Sequence, residues 1–242
     1  MAEMIVSDSA FDTAKAFADF FVGWAKENNS ENKKLYVALS GGSTPKILFD
    51  LLAKNYASEV NWENVVFYWG DERMVSETDP ESNYGEAKRL LFDNINIPEE
   101  NIIPVNGNNT LESEAKAYSR KIENILPSSM GIPVFDLIIL GMGDDGHTAS
   151  IFPNQIELFD SEKICVVAEH PVTGQKRISI TGKVINNAQK IVFLITGTTK
   201  SKVLDTIINK RDDYLKYPAS HVTPANGELL FFLDQEAAIH LM

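Results

Sequence analysis

The segment Gly141-Met142-Gly143-Asp144-Asp145-Gly146-His147-Thr148-Ala149-Ser150 places a histidine and two acids just after the apolar run 135–140. An imidazole titrates near ~6.5 when unperturbed, which suits general-base work at neutral pH. Asp145 is spaced to fix the tautomer of His147 and to stabilise its protonated form. The flanking glycines allow the tight bend that would turn both side chains into a cleft. The same stretch contains G-x-G-x-x-G, and Glu169 follows at about the place of a ribose-binding acid. Three features exclude that nucleotide reading. Asp144 and Asp145 would repel a pyrophosphate, Pro153 hinders the helix that the fingerprint needs, and the motif lies after two complete βα units.

Two more strand-like runs end in chemistry. After 65–69 come Asp71-Glu72-Arg73. Arg73 is able to clamp a phosphate or polarise a carbonyl, and Asp71 to orient it or act as a base. After 35–39 comes Ser40-Gly41-Gly42-Ser43-Thr44-Pro45. Ser43 or Thr44 suits an N-cap and Pro45 the first helical turn, so the free N–H groups of Gly41 and Gly42 with two hydroxyls form a phosphate cradle. The Walker A spacing and its lysine are absent. Arg177, before the alternating Ile178-Ser179-Ile180-Thr181, and Lys200, at the end of Gly197-Thr198-Thr199-Lys200, are further cationic candidates, and Ser82 suits a helix cap. His147, His170, His221 and His240 show no metal-ligand spacing, and no G-x-S-x-G elbow occurs, so neither a metal nor an organic cofactor is expected.

These residues need elements to hold them. The runs 35–39, 65–69, 135–140, 190–195 and 229–233 read as strands, several nearly continuous in apolar residues as expected when both faces are covered. Between them, 11–27, 45–54, 83–92, 112–126 and 200–209 read as helices, and 98–110 as a polar surface connection. The alternation predicts an α/β fold with a mostly parallel, Rossmann-like sheet and helices on both faces. Ligands of such sheets sit at the carboxyl ends of the strands, where the motifs above lie. The 242 residues fit one large domain spanning 1–242.

The 22 Lys and Arg against 34 Asp and Glu give a net charge of −12, which opposes nonspecific binding to nucleic acid or anionic membranes. A small anionic ligand would need a local cationic pocket. No basic leader precedes an apolar core at the N-terminus, and no apolar stretch approaches the ~20 residues of a bilayer span. A cytoplasmic protein is expected. The single cysteine, Cys165, excludes an internal disulfide, and its apolar neighbours predict a buried, inert thiol.

Taken together the motifs resemble the 6-phosphogluconolactonases, within the broader family that includes the glucosamine-6-phosphate deaminase/isomerases. LSGGSTP at 39–45, DER at 71–73, SNY at 82–84, LGMGDDGHTASIFP at 140–153, RIS at 177–179 and GTTK at 197–200 carry the resemblance. The deaminases resemble DGHIAFNEP after the histidine, with a carboxylate that assists ring opening. Here 148–153 contains no acid, which favours the lactonase. Ile151 replaces the Leu more frequent in that pattern, without touching the chemistry.

The resemblance implies a deaminase/lactonase-like fold and hydrolysis of 6-phospho-D-glucono-1,5-lactone to 6-phosphogluconate, in the oxidative pentose phosphate pathway. His147 is then the base, with Asp145 and Arg73 completing the catalytic set. Gly41, Gly42, Ser43, Thr44, Asp71, Arg177 and Lys200 bind substrate. No cofactor is implied, and the partner is a sugar-phosphate lactone acted on by a monomer or small homo-oligomer. The charge developing on the carbonyl oxygen would meet either N–H groups of the 141–147 loop or an arginine. Two other readings stay open: a deaminase or isomerase of an amino- or keto-sugar phosphate, and a sugar-phosphate-binding regulator without catalysis. The intact Asp145/His147 pair speaks against the second.

Overall fold

The computed structural model describes residues 3–28 and 33–241. In chain order they form β1 (Glu3–Ser7), α1 (Ala10–Asn28), β2 (Leu35–Leu39), α2 (Ser43–Asn55), β3 (Val65–Trp69), β4 (Asp71–Arg73), α3 (Asn83–Leu90) and α4 (Leu111–Ile125). A two-residue hairpin, β5 (Ser128–Ser129) and β6 (Ile132–Pro133), leads to β7 (Leu137–Leu140), β8 (Cys165–Glu169) and β9 (Lys176–Ile180). The chain ends in α5 (Gly182–Asn186), β10 (Lys190–Ile195), α6 (Ser201–Ile208), β11 (Glu228–Asp234) and α7 (Gln235–Ala238).

Six strands form one parallel sheet in the order β1-β11-β10-β7-β2-β3. Its strands are apolar on both faces because both faces are covered. Along β10, Ile191, Phe193 and Ile195 join one core with Tyr118 and Ile122 of α4 and Leu204 of α6. Val192 and Leu194 point the other way, into a second core with Phe17 and Phe21 of α1 and Leu48 of α2. Helix α1 presents Ala14, Phe17, Ala18, Phe21, Val22 and Ala25 at helical spacing, and this stripe is what it buries. The Phe17 ring meets Phe232 of β11 edge-on at 5.2 Å. Each such fully buried side chain contributes about 1.5–3 kcal/mol.

The strand order reverses direction at β2. The chain adds β3 on one side of β2, and β7 later takes the other. The diverging loops leave a crevice at the carboxyl ends of β2 and β7, which is where an α/β sheet of this kind takes a ligand. A second sheet stands beside it, antiparallel, in the order β4-β9-β8, with Asp71 opposite Ser179 and Arg73 opposite Arg177. A single residue, Gly70, joins β3 to β4. Its N–H donates to the Leu39 carbonyl at 2.8 Å and its carbonyl accepts from Ile180 N–H at 2.8 Å, so it belongs to both sheets.

Two expectations need correction. Helix α2 starts at Ser43, so its N-cap is Gly42, at φ 120°, with no side chain capping it. Glycine takes that backbone conformation without strain, and Ser43 and Thr44 fall inside the first turn. The segment 98–110 is anchored rather than merely superficial. The buried carboxylate of Glu114 accepts from Asn106 N–H at 2.8 Å and Asn109 Nδ2 at 2.7 Å, and Asn101 is buried.

Candidate active site

The loop after β7 does not open a helix. Gly143 N–H donates to the His147 carbonyl at 3.0 Å, Gly146 N–H to the Gly143 carbonyl at 3.1 Å, and the chain then enters a 3-10 turn at Pro153–Leu158. The nucleotide fingerprint therefore lacks its helix N-terminus. Instead the loop folds onto its own histidine. A Cβ on Gly143 would stand 2.2 Å from His147 Nδ1, so a larger residue there would displace the imidazole.

His147 Nδ1 lies 2.6 Å from Asp145 Oδ1, and the His147 backbone N–H donates to the same oxygen at 3.1 Å. An ionised carboxylate only accepts, so Nδ1 donates to it, and in the neutral ring the lone pair is then on Nε2. Burial pushes the Asp145 carboxyl up, but the hydrogen bonds from His147 outweigh it and hold the group below its ordinary range. The imidazole packs on Phe152, ring centroids 4.6 Å apart, and Arg177 lies over the same phenyl ring at 5.5 Å.

Of the predicted residues, Gly41, Gly42, Asp71, Arg73, His147 and Arg177 line one cavity of about 190 Å³ at the sheet's switch point. Two guanidinium groups against one carboxylate make it locally cationic in an acidic chain. Ser43 lines the adjoining cavity of about 280 Å³, again with Arg73, and with Lys46, which pairs with Glu86 at 2.9 Å. Asp145 stands behind His147. Thr44 and Lys200 line neither cavity. The Thr44 hydroxyl is buried against Thr196 Oγ1 at 2.7 Å, and Lys200 Nζ reaches Thr199 Oγ1 at 3.5 Å. A more voluminous cavity, about 560 Å³, lies between α4 and β8 and holds none of these groups. Convergent chemistry, not volume, identifies the site.

Polar contacts aim the side walls. Arg73 Nη1 donates to the Glu81 carbonyl at 2.7 Å, while its buried Nε has no hydrogen-bond partner among the described residues. Arg177 donates from Nε and Nη2 to Gln175 Oε1 at 3.2 and 3.1 Å, and Gln175 Nε2 donates to Glu81 at 3.0 Å. Burial lowers the Arg177 pKa and the nearby Asp71 raises it, with burial prevailing; a guanidinium stays charged regardless.

Glu72 points away from the cavity into the start of α3. It accepts from the N–H groups of Arg73, Asn83 and Tyr84 at 2.7–2.8 Å, and Ser82 caps the same helix by accepting from Gly85 N–H at 3.0 Å. Burial pushes Glu72 up to about 7 against the pull of those donors. Asn83, Ser150, Phe152 and Gln175 also build the site and were missed as functional from sequence. Their only signal was position inside or beside the motifs.

Among the described residues, no group of three His, Cys, Asp or Glu side chains is placed to hold a metal ion. Cys165 is buried, and burial pushes its thiol up to about 12, an unreactive state.

The sequence pattern of the glucosamine-6-phosphate isomerases/6-phosphogluconolactonase family matches residues 8–231. The chain belongs to this family. It is 48% identical over 212 residues to the 6-phosphogluconolactonase of Haemophilus influenzae, covering 87% of this chain and 89% of that relative. It is 44% identical over 197 residues to the 6-phosphogluconolactonase of Treponema pallidum, covering 81% and 82%. The solved structure of 6-phosphogluconolactonase from Trypanosoma brucei superposes with a TM-score of 0.90 at 28% identity, covering 100% of this chain and 99% of that one. The mostly parallel sheet with helices on both faces is thus the family's own fold.

Proposed function

We propose that the protein hydrolyses 6-phospho-D-glucono-1,5-lactone to 6-phosphogluconate in the oxidative pentose phosphate pathway, with His147 as general base. The observation that carries this reading is the Asp145–His147 pair beside a small cavity walled by two arginines. Family membership and the high identity to lactonases agree with it. So does the absence of any acid in 148–153.

In this scheme the phosphate rests against the Gly41–Ser43 turn at the start of α2 and against Arg177, and its binding energy orients the lactone. His147 Nε2 takes a proton from water as the oxygen attacks C1. The resulting imidazolium is stabilised by Asp145 and returns the proton to the ring oxygen as the C1–O bond breaks. The acid product then ionises. Negative charge on the carbonyl oxygen needs a donor. Gly143, Gly146 and His147 already use their N–H groups inside the loop, so Arg73, whose side chain lines the cavity, is the better candidate. Thr44 and Lys200 have no direct part. We place the enzyme in the cytoplasm, where the phosphate charge of the sugar keeps the substrate from crossing a membrane. No described helix is long and apolar enough to cross a membrane.

The test is hydrolysis of freshly made lactone, corrected for its spontaneous opening, beside an ammonia-release assay on glucosamine 6-phosphate. Enzyme-dependent lactone loss without ammonia is expected. Ammonia release with no acceleration of lactone opening would overturn the reading.

A further inference from the structure

Ser150 is fully buried three residues beyond His147, and nothing in the scheme above uses it. The turn that delivers it is unusual. Ala149 adopts φ 48°, a left-handed conformation that costs a non-glycine residue on the order of 1 kcal/mol, and Ile151 N–H closes the turn onto the Thr148 carbonyl at 3.0 Å. The strain turns the Ser150 side chain inward onto the antiparallel sheet.

There it meets two of the charged groups of the cavity wall, Asp71 and Arg177. Ser150 Oγ lies 2.6 Å from Asp71 Oδ2, and Arg177 Nη1 lies 3.4 Å from Ser150 Oγ. Asp71 and Arg177 themselves are 4.0 Å apart, beyond direct hydrogen bonding. A hydroxyl has one proton to give. The carboxylate can only accept and the guanidinium can only donate, so the polarity is fixed: Arg177 donates to Ser150, and Ser150 donates to Asp71. The backbone is tied down as well, with Ser150 N–H donating to Ser179 Oγ at 3.2 Å.

We infer that Ser150 is a positioning residue for anion binding. It holds the Asp71 carboxylate against the wall and leaves Arg177 facing the cavity. Without its hydroxyl, an unbridged carboxylate swings toward the space that the substrate's phosphate must occupy, and like charges repel. The role rests on the proposed function for its substrate, but the anion site can be read without turnover.

The experiment compares wild type, Ser150→Ala, Asp71→Asn and the double variant, each checked for folding by circular dichroism. Two quantities are measured: inorganic phosphate binding by calorimetry and lactone kinetics. Ser150→Ala should weaken phosphate binding and raise KM by roughly tenfold, the scale of one charge-assisted hydrogen bond, with kcat within about threefold. In the Asp71→Asn background the same substitution should change both by less than about twofold, because no carboxylate remains to restrain. Unchanged binding in Ser150→Ala would overturn the inference. So would equal losses in both backgrounds, or a fall in kcat at constant KM. Should Ser150→Ala not fold, Ser150→Cys keeps the volume with a weak donor and must show the same weakening. Failure of wild type to open the lactone would sink the proposed function alone, since the phosphate measurement stands apart from it.

Discussion

The two sheets are built on opposite terms. Strands of the parallel sheet bury almost nothing polar: β3 is Val-Val-Phe-Tyr-Trp and β7 is Leu-Ile-Ile-Leu, all buried. The antiparallel sheet, with three short strands, buries Asp71, Glu72, Arg177 and Ser179. Apolar burial is nondirectional and tolerates many arrangements. A buried carboxylate tolerates only one that supplies its donors. The first sheet thus provides stability and the second provides aim. The His147 loop hangs from the end of the first and leans on the second.

Four substitutions probe that division. His147→Ala, on the loop between the sheets, should lower lactone turnover by at least ~10²-fold, with the thermal midpoint nearly unchanged. Near-normal turnover would remove His147 from the role. Phe67→Ala empties a fully buried position in the parallel sheet that packs on Trp62 and Phe92. It should cost about 3–5 kcal/mol in urea unfolding, while kcat per folded molecule stays near wild type. A large kcat loss in the folded fraction would show that the scaffold also aims the site.

Arg73→Ala, in the antiparallel sheet, should lower kcat by about 10²-fold if it faces the carbonyl oxygen. A rise in KM at constant kcat would move Arg73 to the phosphate instead. Glu72→Gln should be the mildest, costing about 1–3 kcal/mol because an amide NH₂ would face backbone N–H donors. Its signature is the pH dependence. A carboxyl raised from 4.5 to about 7 binds its proton more tightly when folded. Its contribution is full below about 4.5 and is lost as pH rises through about 7. Wild-type stability measured against Glu72→Gln should therefore fall over that window. A flat difference would mean that Glu72 stays ionised throughout.

The same contrast explains what the sequence revealed. The runs 35–39, 65–69 and 190–195 are strands with those bounds, because burial on both faces leaves an unbroken apolar signature. The run 135–140 begins its strand two residues later, at Leu137. Helix 83–92 stops at Leu90, and Phe92 opens a 3-10 turn. β1 went unread: with only one neighbour and Met4 and Val6 exposed, its pattern is mixed. The antiparallel sheet went unread for a related reason. Buried Asp71, Glu72 and Arg177 look like surface residues until their partners, distant in sequence, are known. Legibility of the site followed the same line. The Asp145–His147 pair is local, two residues apart, and was visible. The Ser150–Asp71 bond spans 79 residues and was not.

The pairing of β1 with β11 sets a schedule for making the protein. Glu3 lies opposite Leu230 and Ser7 opposite Asp234, so the earliest described strand hydrogen-bonds to the last described one. At synthesis rates of roughly 5–20 residues per second, β1 waits on the order of tens of seconds for its neighbour. By the end of that interval α1 has its intended sheet except the strand under Phe17, namely the one that carries Phe232. Closure of the sheet edge is therefore a late event, and a nascent chain stalled before β11 would carry a complete His147 loop on an unfinished body.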